Sequence, residues 1–93
     1  MASRVAVPEG VVFRDLDGEI VLLNLNSGIY FGLDQVGTRL WHWLANHRAL
    51  TLVLAEMLRE FDLDETTGRV DLLHFVETLR QKGLLEIVHE QAV

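Results

Sequence analysis

Two serines and four histidines are the side chains of this sequence best suited to nucleophilic, acid–base or zinc chemistry. Ser27 lies in an Asn-Ser-Gly run that is typical of a turn, where the hydroxyl stabilises local backbone structure. His42 and His47 are five residues apart, whereas two zinc ligands on one helical face are typically four apart. His74 lies beside predicted core positions of a helix, which favours a surface or groove histidine. These patterns predict neither a catalytic site nor a metal site.

Glycines and paired carboxylates give the same result. Gly28, Gly32 and Gly37 lack the G-x-G-x-x-G spacing of a phosphate-binding loop. The acidic pairs flank predicted turns, where acids are common, and they are Asp15 with Asp17 and Asp62 with Asp64. The sequence therefore predicts a protein that is not an enzyme and that needs no cofactor.

The length and net charge of the chain limit the classes of partner that it is expected to bind. A chain of 93 residues is long enough for one domain with a modest core. Its 14 acidic residues outnumber its 8 basic ones, for a net charge of −6, which disfavours a nucleic-acid backbone as partner. The chain contains no cysteine, no apolar run of membrane-spanning length and no signal-peptide pattern, so we expect a cytoplasmic protein without a membrane partner.

Three short apolar runs in the first third of the sequence predict strands. The first begins at Val11, the second covers Ile20–Leu25 and the third covers Ile29–Leu33. Asp17-Gly18 is a two-residue hairpin signal, and Asn26-Ser27-Gly28 is a three-residue turn with glycine at the left-handed position. Two consecutive hairpins make an antiparallel meander, with the third strand at an edge unless another segment covers it.

Helical periodicity replaces this pattern after residue 33. Asp34 is a good N-cap for a first helix and Thr51 for a second. A third helix carries Leu72, Phe75, Val76 and Leu79 on one face and ends near Gly83. Residues 84–88 predict a last strand or an extended segment.

Together these elements predict an α+β fold: a three-stranded antiparallel meander followed by three helices, with a winged-helix-like composition. Residues 1–10 are interpreted as a lead-in, 11–88 as the domain and 89–93 as a tail. The third strand, Ile29-Tyr30-Phe31-Gly32-Leu33, has no charge, proline or other feature that protects an edge. It is either covered by the C-terminal segment or a second copy, or it is a docking edge on which a peptide adds as a strand.

Two motifs give the sequence a family resemblance. Leu33 to Trp41 fits L-(D/N)-x-x-(A/G)-x-x-(I/L)-W, and Phe75 to Leu85 fits F-V-x-x-L-x-x-x-G-L-L. In this order, and behind the Asp17-Gly18 hairpin, they resemble the PqqD-like family, the leader-recognition elements of pathways for ribosomally made, modified peptides. The chain is most similar to the small stand-alone members of lasso-peptide pathways. Asn46–Leu50 departs from the glycine-containing turn that many relatives have before the second helix.

The resemblance implies a domain without catalytic residues that binds the leader of a precursor peptide beside the third strand, in a groove closed by the third helix. The strand side of that site is Ile29, Tyr30, Phe31, Gly32 and Leu33, and the helix side is Leu73, Val76 and Arg80. The implied partners are the precursor leader, a leader peptidase and a macrocyclase. Two alternatives stay open: the same module serving a radical-enzyme pathway, and a winged-helix regulator associated with DNA.

Overall fold

The computed structural model describes residues 4–88, which form five strands and three helices. The strands are β1 (Arg4–Ala6), β2 (Val11–Leu16), β3 (Glu19–Asn24), β4 (Tyr30–Gly32) and β5 (Glu86–Val88), and the helices are α1 (Gln35–His47), α2 (Leu50–Glu60) and α3 (Glu65–Gln81). Strands β2, β3 and β4 form one antiparallel sheet in that order. The predicted α+β fold, a meander followed by three helices, is confirmed.

The first hairpin forms as its turn residues predict. Asp17 and Gly18 have φ angles of 56° and 85°, the pair of positive values that a type I′ turn requires, and Leu16 pairs with Glu19 across it. The second connection is longer than the predicted three-residue turn and covers residues 25–29, with Gly28 at φ 76°. Strand β4 is correspondingly shorter than predicted.

Helices α1 and α3 begin at an aspartate cap, whereas α2 does not. The Oδ1 atoms of Asp34 and Asp64 accept backbone N–H groups from Gly37 at 2.8 Å and from Thr67 at 2.7 Å, which caps α1 and α3. Helix α2 begins at Leu50 behind Ala49, with no side-chain cap, so the prediction that Thr51 caps it is wrong. Ala49 takes the N-terminal position because the chain enters α2 directly from the left-handed Arg48 that ends α1.

Helix α3 ends in a Schellman motif. Gly83 has φ 72°, its N–H donates to the Arg80 carbonyl at 3.0 Å, and the Leu84 N–H donates to the Leu79 carbonyl at 2.9 Å. This turn brings Leu84 and Leu85 back into the core, where both are buried.

One face of the sheet packs on the helices and forms the core. Ile20 and Leu22 of β3 point to this face and have no exposed surface, as does Trp41 of α1. The Thr38 Oγ1 atom accepts the Ile20 backbone N–H at 2.9 Å inside the protein, so α1 is tied to the central strand by a buried hydrogen bond.

The segment predicted as a lead-in takes part in the fold. Residues 4–6 form β1, which pairs antiparallel with β5, and the Val5 side chain is buried in the core. The Val5 N–H also donates to the Arg48 carbonyl at 2.7 Å. The chain from residue 4 is therefore continuous with the packed unit, while the predicted tail, 89–93, lies outside the described residues.

Candidate functional site

Strand β4 has one hydrogen-bonded edge and one free edge. It pairs with β3 alone among the described strands, with Leu22 opposite Phe31 and Leu23 opposite Tyr30. On either side of this register, the Leu33 N–H donates to the Ile20 carbonyl at 2.7 Å and the Asn24 N–H to the Ile29 carbonyl at 2.8 Å.

Hydrogen-bonded pairs alternate along an antiparallel ladder. Because pairs 20/33 and 24/29 are bonded, the pair between them, Leu22 and Phe31, is bonded as well. Tyr30 and Gly32 therefore point their N–H and C=O groups away from β3. The free edge presents two donors and two acceptors to an incoming strand.

A groove runs between this edge, α3 and the start of α1. It has a volume of about 450 Å³. Leu33 and Leu40 are buried in its floor, Phe31 and Phe75 are half-buried in its walls, and Val36 is 51% exposed at its mouth. The full lining is Phe31, Gly32, Leu33, Asp34, Val36, Gly37, Leu40, Asp71, His74, Phe75 and Thr78. Such a groove can take apolar side chains of a peptide whose backbone pairs with β4.

Gly37 sets the width of the groove where α1 meets α3. A Cβ atom at this position would lie 3.3 Å from the Phe75 Cε1 atom and 3.4 Å from the Leu33 Cβ atom. The missing side chain lets the Phe75 ring pack directly against α1, so the ring forms a fixed wall of the groove.

The charges around the groove are unevenly placed. Asp34 and Asp71 line one end of it, while at the other end the Lys82 Nζ atom lies 5.1 Å from the centroid of the Phe31 ring. Asp34 is engaged as the cap of α1 through Gly37. His74 lies on the α3 wall, one turn from Asp71.

The structure brings four of the five predicted strand residues to the β4 edge or the groove. Tyr30 is 74% exposed on the edge, and Phe31, Gly32 and Leu33 line the groove. Ile29 precedes β4 in the connection and is 44% exposed. Its carbonyl is bonded to β3, so it does not contribute acceptors to the free edge.

The three predicted helix residues lie elsewhere. Val76 is 1% exposed and belongs to the core, and Leu73 is exposed away from the groove. Arg80 lines a separate cleft of about 900 Å³ formed with Pro8, Asn24 and the C-terminal segment. This larger cleft is bordered by charged and amide side chains and includes no residue of the free β4 edge.

The angular positions of the residues about the α3 axis explain why the predicted helix residues lie outside the groove. Successive residues turn by about 100°, so Leu73 and Phe75 lie on opposite flanks of the buried line through Leu72, Val76 and Leu79. The tertiary fold places the Phe75 flank, with Asp71 and Thr78, beside β4. Sequence periodicity placed Leu72 and Leu79 in the core correctly, whereas Val76, predicted for the groove, is buried and Phe75, predicted for the core face, is half-buried at the groove.

The opposite flank of α3 carries a tight ion pair. The Arg80 Nε atom donates to a Glu77 carboxylate oxygen at 2.8 Å, and this hydrogen bond lowers the pKa of Glu77 and raises the pKa of Arg80. Arg69 pairs with Glu65 one turn earlier on the helix. The two arginines of this helix are therefore neutralised locally.

Residues 4–88 contain no group of three or more histidine or acidic side chains arranged to hold a metal ion. No helix in this part of the chain is long and apolar enough to cross a membrane.

Comparison with known proteins identifies the family. The sequence profile described as Coenzyme PQQ synthesis protein D (PqqD) matches residues 19–85, so the chain belongs to the PqqD family. Two solved structures share the fold. One, described as TbiB1 in complex with the TbiA(beta) leader peptide, is 38% identical, covers 86% of this chain and 93% of its own, and has a TM-score of 0.82.

The second structure is a lasso peptide synthetase B1 complexed with the leader peptide. It is 19% identical, covers 89% of this chain and 98% of its own, and has a TM-score of 0.81, which shows a shared fold. No protein with a curated description matched the chain in sequence.

Proposed function

We propose that this protein binds the leader segment of a ribosomally synthesised precursor peptide and delivers the precursor to a leader peptidase and a macrocyclase in lasso-peptide biosynthesis. The observation that carries the proposal is the free, uncharged β4 edge, which forms one wall of an apolar groove. The 38% identity to TbiB1, solved with a leader peptide, supports the same occupant here.

The leader adds as a strand along β4. Its backbone groups pair with the outward N–H and C=O groups of Tyr30 and Gly32, which gives up to four hydrogen bonds. At about 1 kcal/mol each, these bonds together offset no more than the lowest estimate of the cost of associating two molecules, about 4 kcal/mol. Affinity therefore depends on side chains of the leader that enter the groove between Phe31 and Phe75.

Apolar anchors in the groove supply the remaining affinity. A fully buried leucine-sized side chain contributes about 1.5–3 kcal/mol. Alternate residues of a strand point to the same side, so leader residues two apart can both face the groove. The backbone contacts hold any sequence in extended form, and the anchors select particular leaders.

The contribution to biosynthesis is effective concentration. A leader held on the protein brings the attached core peptide to any enzyme that also binds this protein, so that processing becomes a local event. The domain then needs no catalytic residue of its own. The sequence alternative of a DNA-associated regulator gains no support from α3, because Arg69 and Arg80 are both paired with acidic residues of the same helix.

The binding step is tested by fluorescence polarisation with a fluorescein-labelled TbiA(beta) leader peptide and the purified protein, without enzyme or cofactor. We expect saturable binding, competed by unlabelled leader and not by a peptide of the same composition in scrambled order. Absence of saturable binding to this leader and to a panel of other lasso-precursor leaders would refute the proposal.

Delivery is tested by reconstitution. With a precursor well below its KM for the peptidase, adding the protein should raise the rate of leader removal, and free leader peptide in excess should abolish the increase. A radical-enzyme pathway is distinguished by the same design, because there the peptidase rate would not respond while modification by the radical enzyme would.

A further inference from the structure

The two ends of the groove carry opposite charge. Helix α3 passes β4 in the opposite chain direction: Phe75 lies against the Leu33–Gly37 segment that follows β4, and the Lys82 Nζ atom lies 5.1 Å from the centroid of the ring of Phe31, the middle residue of the strand. Asp71, one turn before Phe75, lines the groove together with Asp34. The groove is therefore acidic beyond the end of β4 and has a positive charge beside Phe31.

The spacing of the two charges corresponds to a short stretch of bound strand. Asp71 and Lys82 are 11 residues apart on α3 and its C-cap. At 1.5 Å per residue this is about 16 Å along the helix axis. An extended peptide rises about 3.3 Å per residue, so the two ends lie about five leader residues apart.

Asp71 and Lys82 are the charges most available to a guest. In residues 4–88 neither of them belongs to an ion pair, whereas Arg69 and Arg80 are paired with Glu65 and Glu77. Lys82 contacts the face of the Phe31 ring, a position that keeps its ammonium group beside the groove.

Asp34 adds less net charge than Asp71. Its Oδ1 atom accepts the Gly37 N–H at 2.8 Å, and the positive end of the α1 dipole partly offsets its charge. His74 lies on the same wall, between Asp71 and Phe75. The difference in charge between the two ends of the groove therefore depends mainly on Asp71 and Lys82.

We propose that the groove reads the charge order of the leader, with a cationic leader residue beside Asp71 and an anionic one, about five residues away, beside Lys82. A free strand edge accepts a guest in either direction and in several registers, because backbone bonds are the same for every sequence. Opposite charges at the two ends remove this ambiguity. This inference rests on the proposed leader binding and adds the direction and register of the bound strand.

The experiment is a charge scan. Each residue of the TbiA(beta) leader is replaced in turn by Lys and by Glu, and the affinity of each peptide is measured by competition against the labelled parent. We expect one window that prefers Lys and another, about five residues away, that prefers Glu, each with a three- to tenfold difference between the two substitutions. Both differences should decrease as the salt concentration rises.

Variants of the protein show which groove residue causes each window of preference in the leader. Asp71→Lys should reverse the preference in the Lys-preferring window alone, and Lys82→Glu should reverse it in the other window alone. The neutral variants Asp71→Asn and Lys82→Gln should remove the difference in affinity between Lys-substituted and Glu-substituted leaders in the same windows. Arg80→Glu, on the opposite flank of α3, is the matched control and should leave the whole profile unchanged. Circular dichroism confirms that each variant is folded.

The outcomes separate this inference from the proposed function. A flat scan, or a patterned scan that is the same for all variants, overturns the charge-order inference while leader binding stands. Loss of binding by every peptide, including the unsubstituted leader, overturns both.

Discussion

The sheet of β2, β3 and β4 has two edges, and of these only the β4 edge borders a groove with a helix as its second wall. At the β2 edge, Arg14 and Asp15 place charges on the strand itself, and the adjacent hollow is lined by residues of β2 and β3. At the β4 edge, Tyr30–Gly32 carries no charge, and α3 forms a second wall opposite the strand.

Free backbone groups alone do not distinguish the two edges, because both edges have them. Hydrogen-bonded pairs alternate along β2, starting from the pair Leu16 and Glu19 at the turn. The backbone groups of Phe13 and Asp15 therefore point outward, as those of Tyr30 and Gly32 do on β4. What distinguishes β4 is the groove, where a guest side chain can be buried while its backbone pairs. The following substitutions test this comparison.

The largest effect is expected for Phe31→Pro. Phe31 is bonded to Leu22 in the ladder and its ring is half-buried, so proline removes a hydrogen bond that the sheet uses and most of an aromatic contact. We expect a loss of about 4 kcal/mol in the free energy of unfolding, or a decrease in Tm of about 15 °C or more. Thermal melting followed by circular dichroism is the measurement. A melting temperature within a few degrees of the parent would contradict the assigned register.

The next effect is on binding. Tyr30→Pro removes an outward N–H that the sheet does not use, so the protein should stay folded and lose at least tenfold in leader affinity. Asp15→Pro removes an outward N–H on the other edge, together with the 2.7 Å hydrogen bond from the Gly18 N–H to the Asp15 carboxylate, and should leave affinity unchanged. Tyr30→Ala removes the side chain but keeps the backbone N–H, so it should lower leader affinity less than Tyr30→Pro. If Asp15→Pro weakens binding as much as Tyr30→Pro, the two edges are equivalent and the comparison fails.

A smaller effect distinguishes the mouth of the groove, formed by the start of α1, from the far flank of α3. Val36 at the groove mouth is 51% exposed and Leu73 on the far flank is 43% exposed, so the same charged substitution can be made at both without disturbing the core. Val36→Asp should weaken leader binding about five- to tenfold, because an apolar contact is replaced by a charge, whereas Leu73→Asp should not change it. The measurement is isothermal titration calorimetry of the leader with both variants. Weakened binding in Leu73→Asp alone would restore the helix side predicted from the sequence.

The smallest effect is expected for Arg80→Ala. Arg80 pairs with Glu77 away from the groove, so leader affinity should be unchanged and stability slightly lower at neutral pH. Because the pair lowers the pKa of Glu77, its contribution is present above the ordinary pKa of a glutamate and is lost as the pH falls through the lowered value. The difference in Tm between the parent and this variant should therefore disappear on acidification below about pH 4. A difference that grows towards low pH would exclude this explanation.

Local sequence signals predicted much of the fold, because each acts within a few residues. Asp17-Gly18 fixes its turn through two positive φ angles, Asp34 caps α1 through its own carboxylate, and Gly83 ends α3. Strand β1 was not predicted, because three residues are too few for a periodic pattern and their partners are 80 to 84 residues away along the chain.

The candidate site was predicted unevenly for a related reason. The absence of charge on β4 is visible in the sequence, and the free edge follows from the order of the hairpins. The α3 wall depends on how the whole helix is rotated against the sheet, which no segment of α3 encodes alone. The residues missed by the sequence, such as Phe75 and Asp71, become neighbours of β4 only in the tertiary structure.

Pairing of β1 with β5 places Arg4 directly opposite Val88. Cα atoms opposite each other in an antiparallel ladder are about 5 Å apart, so a linker of a few residues would join these points without disturbing the fold. The domain is therefore suited to circular permutation, with new ends opened at the exposed Asp17-Gly18 turn, which joins β2 to β3 and contributes no residue to the groove lining. A permuted protein of this kind would carry a fused enzyme or reporter at the hairpin tip, outside the lining of the groove.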